Sequence, residues 1–392
     1  MPDVIKIAVV GCARILPAHL RGLKELQEKG FDNWRITALV ARKIEDAQMF
    51  RKRGEGPPPR PSTIRYALTD PLNAPHMYVS DLHTDVLPEL YTDWREMLRT
   101  ADVDAVLNLT TLSLHHTVTI DALNAGKHVL VEKPFAHSLE GADRMIAAMA
   151  KGGGRMVINW PLVWYPSHRT AKRLLDEGAI GEVLEVHFYD GNRGPLYHLA
   201  DKVEVTEEEV RREKPHSWWY KKASGGGSLL DYLGYGVTIG TWYHGGRAPL
   251  EVTTTVWGGE GLEVDEHSVT VCRYACGLSK YETRWGTFTD PWVTQPQPKC
   301  GFVLVGTDGT LSSYDYEPVV RVQTRKRREI HEIPVDTLQA PHHNPIHHFL
   351  HCLETGEPVI GPLDPKLCRV GQQIVDSAVL SAQEKRTVKL LQ

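Results

Sequence analysis

The sequence predicts two folds in series: a doubly wound parallel α/β domain, then an α+β domain whose sheet is large, open and mostly antiparallel. Two observations carry this expectation. Through the first 160 residues, short β-branched apolar runs alternate with amphipathic helical stretches, the order that builds a helix-covered parallel sheet. From about Val183 strands follow one another with few helices between them, which implies antiparallel neighbours. A chain of 392 residues can fill two cores, and the expected boundaries are 1–160 and 161–392.

In the first half the predicted strands are Ile5–Val10, Ile36–Val40, Ala105–Leu109, His128–Val131 and Met156–Asn159. The predicted helices are His19–Glu28, Glu45–Arg53, Thr117–Ala125 and Leu139–Ala150. Between Arg53 and Val79 the prolines starting at Pro57 can sustain neither period, so about 54–78 reads as a surface insertion. The second half predicts strands at Val183–Tyr189, Glu251–Trp257, His267–Tyr274, Leu278–Arg284, Gly301–Val305, Val319–Thr324 and Arg328–Ile333. Helices are expected at Pro345–Leu353 and Lys366–Glu384, and a polar loop at Asp190–Gly194.

Composition removes several functions. With 41% hydrophobic and 24% charged residues and a net charge of -4, the chain has no basic field for nucleic acid or anionic lipid. No apolar run of about 18 residues is present, so no membrane span is expected. The six cysteines form no CxxC pair, which fits reduced thiols better than a disulfide framework. The start shows no charged segment leading into a long apolar one, so a cytoplasmic protein is expected.

The chemistry-bearing segments lie at predicted strand ends. Gly11, Ala13, Arg14 and Ile15 follow the first strand, where a dinucleotide-binding (Rossmann) fold holds a pyrophosphate against a helix N-terminus. The glycine pattern is partial, because Ala13 stands where a second glycine would allow close approach and Leu16 where a third would ease packing. After the second strand comes Ala41-Arg42-Lys43. An acid there would grip a ribose hydroxyl; a small residue followed by a cation suits a 2′-phosphate, so NADP is favoured and NAD remains possible.

Glu132-Lys133-Pro134 follows the strand His128–Val131, and an ammonium at such a strand end can bind a reacting oxygen and offset its developing charge. Further on, Gly225-Gly226-Gly227 opens a predicted helix that sets Asp231 and Tyr235 one turn apart on one face. The bland alternatives are an early-helix acid and a core aromatic. Trp219, beside Trp218 and Tyr220, can stack on the C–H face of a sugar or pack in a core.

Taken together, the Gly11 turn, the run from Ala122 to Pro134, the glycine-led segment to Asp231 and the stretch from Gly306 to Leu311 resemble the Gfo/Idh/MocA family over nearly the whole chain. The resemblance implies a hydride transfer between NAD(P) and a carbon of a sugar, cyclitol or related polyol. It implies that Lys133 is the catalytic lysine, that Asp231 orients substrate or supports the proton relay, and that Tyr235 is the acid/base where most members carry histidine. A phenol in that role needs a cation such as Lys133 nearby to ionise near neutrality. Thr110, Thr111 and His115 match the segment the family sets beside the nicotinamide, with Thr111 replacing its usual proline. Asn159 matches a polar residue near the active cleft, but the arginine that usually follows is missing.

Two alternatives remain. A glycoside hydrolase or epimerase can use the same groups with bound NAD that is transiently reduced. A non-catalytic dinucleotide-binding sensor would need none of them. The histidines from His342 to His351 lack a completing carboxylate or cysteine, so no metal is expected. An open sheet face in the second domain predicts a homodimer or homotetramer joined through it, as the resemblance also implies.

Overall fold

A computed structural model describes residues 4–59, 74–160, 164–198 and 205–392. They form two compact units. Part of the predicted insertion, residues 60–73, lies outside the described residues.

The first unit alternates strand and helix: β1 (Ile5–Val10), α1 (Leu16–Glu28), β2 (Trp34–Val40), α2 (Ile44–Arg51), β3 (Glu89–Tyr91), α3 (Trp94–Thr100), β4 (Ala105–Asn108), α4 (Leu112–Asn124), β5 (His128–Glu132), α5 (Leu139–Gly152) and β6 (Met156–Asn159). The six strands are parallel in the order β3-β2-β1-β4-β5-β6. Residues of β1, β4 and β6 are buried almost without alternation, as expected where helices cover both faces. Helix α1 turns Leu16, Leu20, Leu23 and Leu26 onto the sheet, and each fully buried leucine contributes about 1.5–3 kcal/mol. Strand order reverses direction between β1 and β4, and sheets of this kind bind ligands in the crevice there, outside the carboxyl ends of the strands.

Strand β3 and helix α3 have no counterpart among the predicted elements. Three residues, Glu89 to Tyr91, are too few to show a period, and the strand exists because it pairs with the end of β2. Helix α3 does carry a start signal, since the Asp93 side chain accepts from the Arg95 N–H.

The second unit opens with α6 (Pro166–Asp176), β7 (Val183–Asn192), α7 (Glu207–Glu213), α8 (Ser228–Tyr243), β8 (Glu251–Trp257), β9 (His267–Arg273) and β10 (Leu278–Trp285). It continues through β11 (Gly301–Gly306), β12 (Gly309–Tyr314), β13 (Val319–Thr324) and β14 (His331–Pro334). The chain then gives α9 (Pro345–Thr355) to the first unit before α10 (Pro365–Glu384) and β15 (Val388–Lys389) complete the second. The nine strands run β14-β13-β12-β11-β7-β10-β9-β8-β15, antiparallel except for the β7–β10 pair. Helix α8 lies close against this sheet: a Cβ on Gly236 would meet the Phe188 ring at 2.6 Å, and one on Gly240 the Tyr281 hydroxyl at 2.1 Å.

Three expectations need correcting here. Asp190, Gly191 and Asn192 are not loop but the end of β7, paired in register with Thr283, Arg284 and Trp285. Gly191 keeps the strand going because its Cβ position is 2.5 Å from the Arg284 carbonyl oxygen, an approach only glycine permits. Strand β12 was not foreseen, although Asp308-Gly309 carries the turn chemistry that closes the β11–β12 hairpin. Finally, Gln339–Pro365, expected in the second domain, clusters with the first unit. The Asn344 amide donates to the Gly22 carbonyl of α1 (3.2 Å), and the His347 ring packs 4.3 Å from Phe31. The histidine-rich stretch therefore docks a helix.

Candidate active site

In the first unit the candidate residues gather at the carboxyl ends of the strands. After β1, Gly11 has φ +110°, and a Cβ there would sit 2.5 Å from the Leu109 carbonyl oxygen and 3.0 Å from the Thr110 nitrogen. The absence of a side chain thus lets the turn after β1 lie against the segment after β4. Ile15 precedes α1 without capping it, and the first turn of the helix has no acid. The Leu16 and Ala18 N–H groups donate to the Ala13 and Ile15 carbonyls (3.2 and 3.0 Å) and Pro17 has none, so what the helix start offers an anion is its positive dipole end. Ala41 is buried, its N–H donating to the Tyr91 carbonyl (3.1 Å), while Arg42 and Lys43 are exposed beyond it.

The Thr110 segment is held from below by Asn108, which the sequence reading did not single out. Fully buried, Asn108 accepts from the Thr110 hydroxyl (2.7 Å) and donates to the His115 carbonyl and the Thr119 hydroxyl (both 3.0 Å). His115 is buried with Nδ1 2.8 Å from the Pro134 carbonyl and Nε2 3.1 Å from the Thr110 carbonyl. Burial lowers its pKa, outweighing the two carbonyls that favour the cation. Thr111 is exposed, its hydroxyl 3.2 Å from that of Ser113. His115 is therefore a tie between two strand-end segments.

The second tie is Glu132, the last residue of β5. Its carboxylate accepts from His19 Nε2 of α1 (2.7 Å), from the Asn159 amide at the paired position of β6 (2.6 Å) and from the Lys133 N–H (3.1 Å). Burial pushes its pKa up, but the His19 and Asn159 hydrogen bonds prevail and hold it below the ordinary glutamate value. Asn159 thus buttresses Glu132. Lys133 is half-buried and precedes a cis peptide to Pro134. His19 was missed, although a histidine within the apolar stripe Leu16, Leu20, Leu23 signals a buried polar group needing a partner.

Lys133 belongs to the first unit, whereas Asp231, Tyr235 and Trp219 belong to the second. There the glycine run is a close crossing. A Cβ on Gly226 would stand 2.1 Å from the Trp219 carbonyl oxygen, and one on Gly227, at φ +111°, 2.6 Å from Asp265. Asp265 caps α8 from outside, accepting from the Leu229 N–H (2.9 Å) and the Ser228 hydroxyl (2.6 Å). Helix α8 then carries half-buried Asp231 in its first turn and buried Tyr235 one turn on. The Trp285 indole N–H donates to Asp231 Oδ2 (3.2 Å). Trp219 is half-buried and stacks on exposed Trp218 with centroids 3.9 Å apart. Among the described residues, no group of three or more metal-ligating side chains is assembled, and no helix is long and apolar enough to cross a membrane.

Residues 5–159 match the profile of an oxidoreductase family with an NAD-binding Rossmann fold, and residues 168–312 match the Gfo/Idh/MocA C-terminal domain. The chain belongs to the Gfo/Idh/MocA family. This member is 28% identical over 249 residues to a 1,5-anhydro-D-fructose reductase of Ensifer adhaerens, covering 62% of this chain and 68% of that protein. It is 25% identical over 251 residues to a levoglucosan dehydrogenase of Pseudarthrobacter phenanthrenivorans (58% and 59%), and 35% identical over 131 residues to an inositol 2-dehydrogenase of Burkholderia multivorans (33% and 39%). In the last two, the match spans less than two thirds of the relative's own length. A solved levoglucosan dehydrogenase in complex with NADH and levoglucosan superposes with a TM-score of 0.75 at 18% identity, covering 99% of this chain and all of that one. The aldose-aldose oxidoreductase of Caulobacter crescentus gives 0.71 at 20% identity, covering 99% and 100%. These structures share the fold. Neither the transient-redox alternative nor the sensor alternative is favoured by the Gfo/Idh/MocA relatives.

Proposed function

We propose that this Gfo/Idh/MocA member is an NAD(P)-dependent dehydrogenase or reductase of a sugar, cyclitol or related polyol. The observation that carries the reading is the Glu132 clamp: held by His19 and Asn159, its carboxylate accepts from the Lys133 N–H and so fixes that backbone at a parallel strand end. A site that merely bound a nucleotide has no need of a lysine held so firmly. The relatives' names, all sugar or cyclitol reductases and dehydrogenases, support the substrate class.

The first unit fits a dinucleotide, because Gly11 leaves the space a Cβ would fill and the positive end of α1 carries no acid in its first turn. Gly11, Ala13, Arg14 and Ile15 would hold the pyrophosphate, and Thr110, Thr111, His115 and Glu132 would shape the nicotinamide end. Bound there, the nicotinamide supplies the acceptor or donor of two electrons. Exposed Arg42, with no acid at Ala41, supports NADP over NAD. Lys133 donates to the reacting oxygen and stabilises its negative charge, while Tyr235 gives or takes its proton. Asp231 orients the neighbouring hydroxyls; Asn159 acts on substrate only through Glu132, and Trp219 offers a flat face to the sugar's C–H side.

Exposed Leu250, Val256, Trp257 and Leu278 on or beside β8 and β10 support a homodimer or homotetramer formed through the second unit's sheet. Light scattering that finds only a 44.0 kDa species would contradict this. None of the six cysteines is in a disulfide, which supports a reducing, cytoplasmic setting. The functional reading is tested by following cofactor reduction with NAD and with NADP over a panel of sugars and cyclitols. Turnover that survives unchanged in Lys133→Met removes Lys133 from the chemistry, and no turnover by the wild type on any panel member removes the reading.

A further inference from the structure

The sheet of the second unit delivers two side chains to the first turns of α8. Strands β7 and β10 form the one parallel pair among the described strands of that sheet, and their last residues, Asn192 and Trp285, face each other in register. Parallel strands end together, so both residues emerge at the same edge. From there the Asn192 amide donates to the Tyr232 hydroxyl, and the Trp285 indole N–H donates to the adjacent Asp231 carboxylate at 3.2 Å.

Trp285 is only 3% exposed, and its position is fixed on several sides. Its backbone N–H donates to the Glu266 carbonyl (2.8 Å), and Gly286 and Thr287 next to it both donate to the Asn192 carbonyl (2.9 and 3.1 Å). Its ring packs 5.2 Å from Tyr220 and edge-on to Trp219 at 6.3 Å. An indole has one N–H and no acceptor. Core packing alone requires no polar end, and burying one without a partner is costly. Here that single donor points at the carboxylate already assigned to the substrate.

We propose that Trp285 is a positioning residue of the active site, its indole N–H holding one oxygen of the Asp231 carboxylate and with it the orientation of the acid toward substrate. This rests on the proposed function for the role of Asp231. It extends the site to a residue 54 positions away that no motif marks. The same ring stands edge-on to Trp219, so the donor to the acid also packs beside the flat wall.

The test compares Trp285→Phe, which keeps the ring packing and removes the donor, with Asp231→Asn and the double variant. Trp285→Phe is expected to lower kcat for the polyol about tenfold while leaving the KM for the cofactor unchanged, as loss of one hydrogen bond to a charged group implies. In the Asp231→Asn background the same change is expected to cost little more. Independently of turnover, the chain's ten tryptophans give ten indole N–H signals in a ¹⁵N spectrum, and the one missing from Trp285→Phe is the reporter. If Trp285→Phe is too unstable to assay, Trp285→Tyr identifies the same signal. That reporter is expected to shift on Asp231→Asn in the absence of substrate. An unmoved reporter, or equal losses in both backgrounds, overturns the proposal. A wild type that turns over no polyol sinks the functional reading instead, and the reporter still decides whether Trp285 holds Asp231.

Discussion

Replacing Glu132 with alanine should unseat the strand-end lysine and destabilise the first unit together. The carboxylate accepts from His19 Nε2 at 2.7 Å and from the Asn159 amide at 2.6 Å, both buried, and from the Lys133 N–H at 3.1 Å, which is partly buried. Deleting it strands two buried side-chain donors, and removing one partner of such a buried polar cluster costs about 3–5 kcal/mol. For a unit of this size each kcal/mol moves the midpoint by about 2–4 °C, so calorimetry should show the transition about 6–20 °C lower. Glu132→Gln keeps one acceptor oxygen and should lose about 1–3 kcal/mol. The pH dependence follows from the depressed pKa of Glu132: the unfolded chain holds the proton more tightly. The carboxylate's contribution is therefore complete above the ordinary glutamate range and is lost as pH falls through the lower folded value. Glu132→Gln should flatten that acid limb. A Glu132→Ala protein as stable as the wild type to within about 0.5 kcal/mol would mean that the Glu132 carboxylate does not hold these elements together.

Three further outcomes are expected. Gly11→Ala, which forces a Cβ to 2.5 Å from the Leu109 carbonyl at φ +110°, should abolish dinucleotide binding in calorimetric titration and cost at least about 1–3 kcal/mol of stability. Arg42→Ala should raise the KM for NADP about tenfold or more and leave that for NAD unchanged, measured with one polyol at saturation. Asn108→Ala frees the Thr110 hydroxyl and two donor contacts, and should weaken cofactor binding with little change in the KM for polyol.

Most of the architecture was legible because it rests on local period. The strands Ile5–Val10 and Met156–Asn159 fall where the apolar runs put them, since strands buried on both faces need unbroken β-branched sequence. Elements fixed by their neighbours were not legible. β3 and β15 are two or three residues long and exist only as partners of β2 and β8. β7 runs on through Gly191 because β10 lies alongside. Similarly, the candidate site segments could be read from Gly11, Glu132-Lys133-Pro134 and the glycine run, since each has a demanding backbone or a strand-end position. Their supports could not. His19 supports Glu132 in the first unit, Asp265 and Trp285 support the start of α8 in the second, each from another element, and no local spacing encodes a hydrogen bond between residues such as His19 and Glu132, 113 positions apart.

Under the proposed function, Lys133 and Tyr235 handle the charge and the proton of one reacting oxygen. A double-mutant cycle on kcat/KM for a turned-over polyol tests this most directly, using Lys133→Met, Tyr235→Phe and the pair. Each single change is expected to cost about 100-fold or more, with the double variant hardly worse than the poorer single one. Losses that multiply, as for two groups serving different steps, would contradict it.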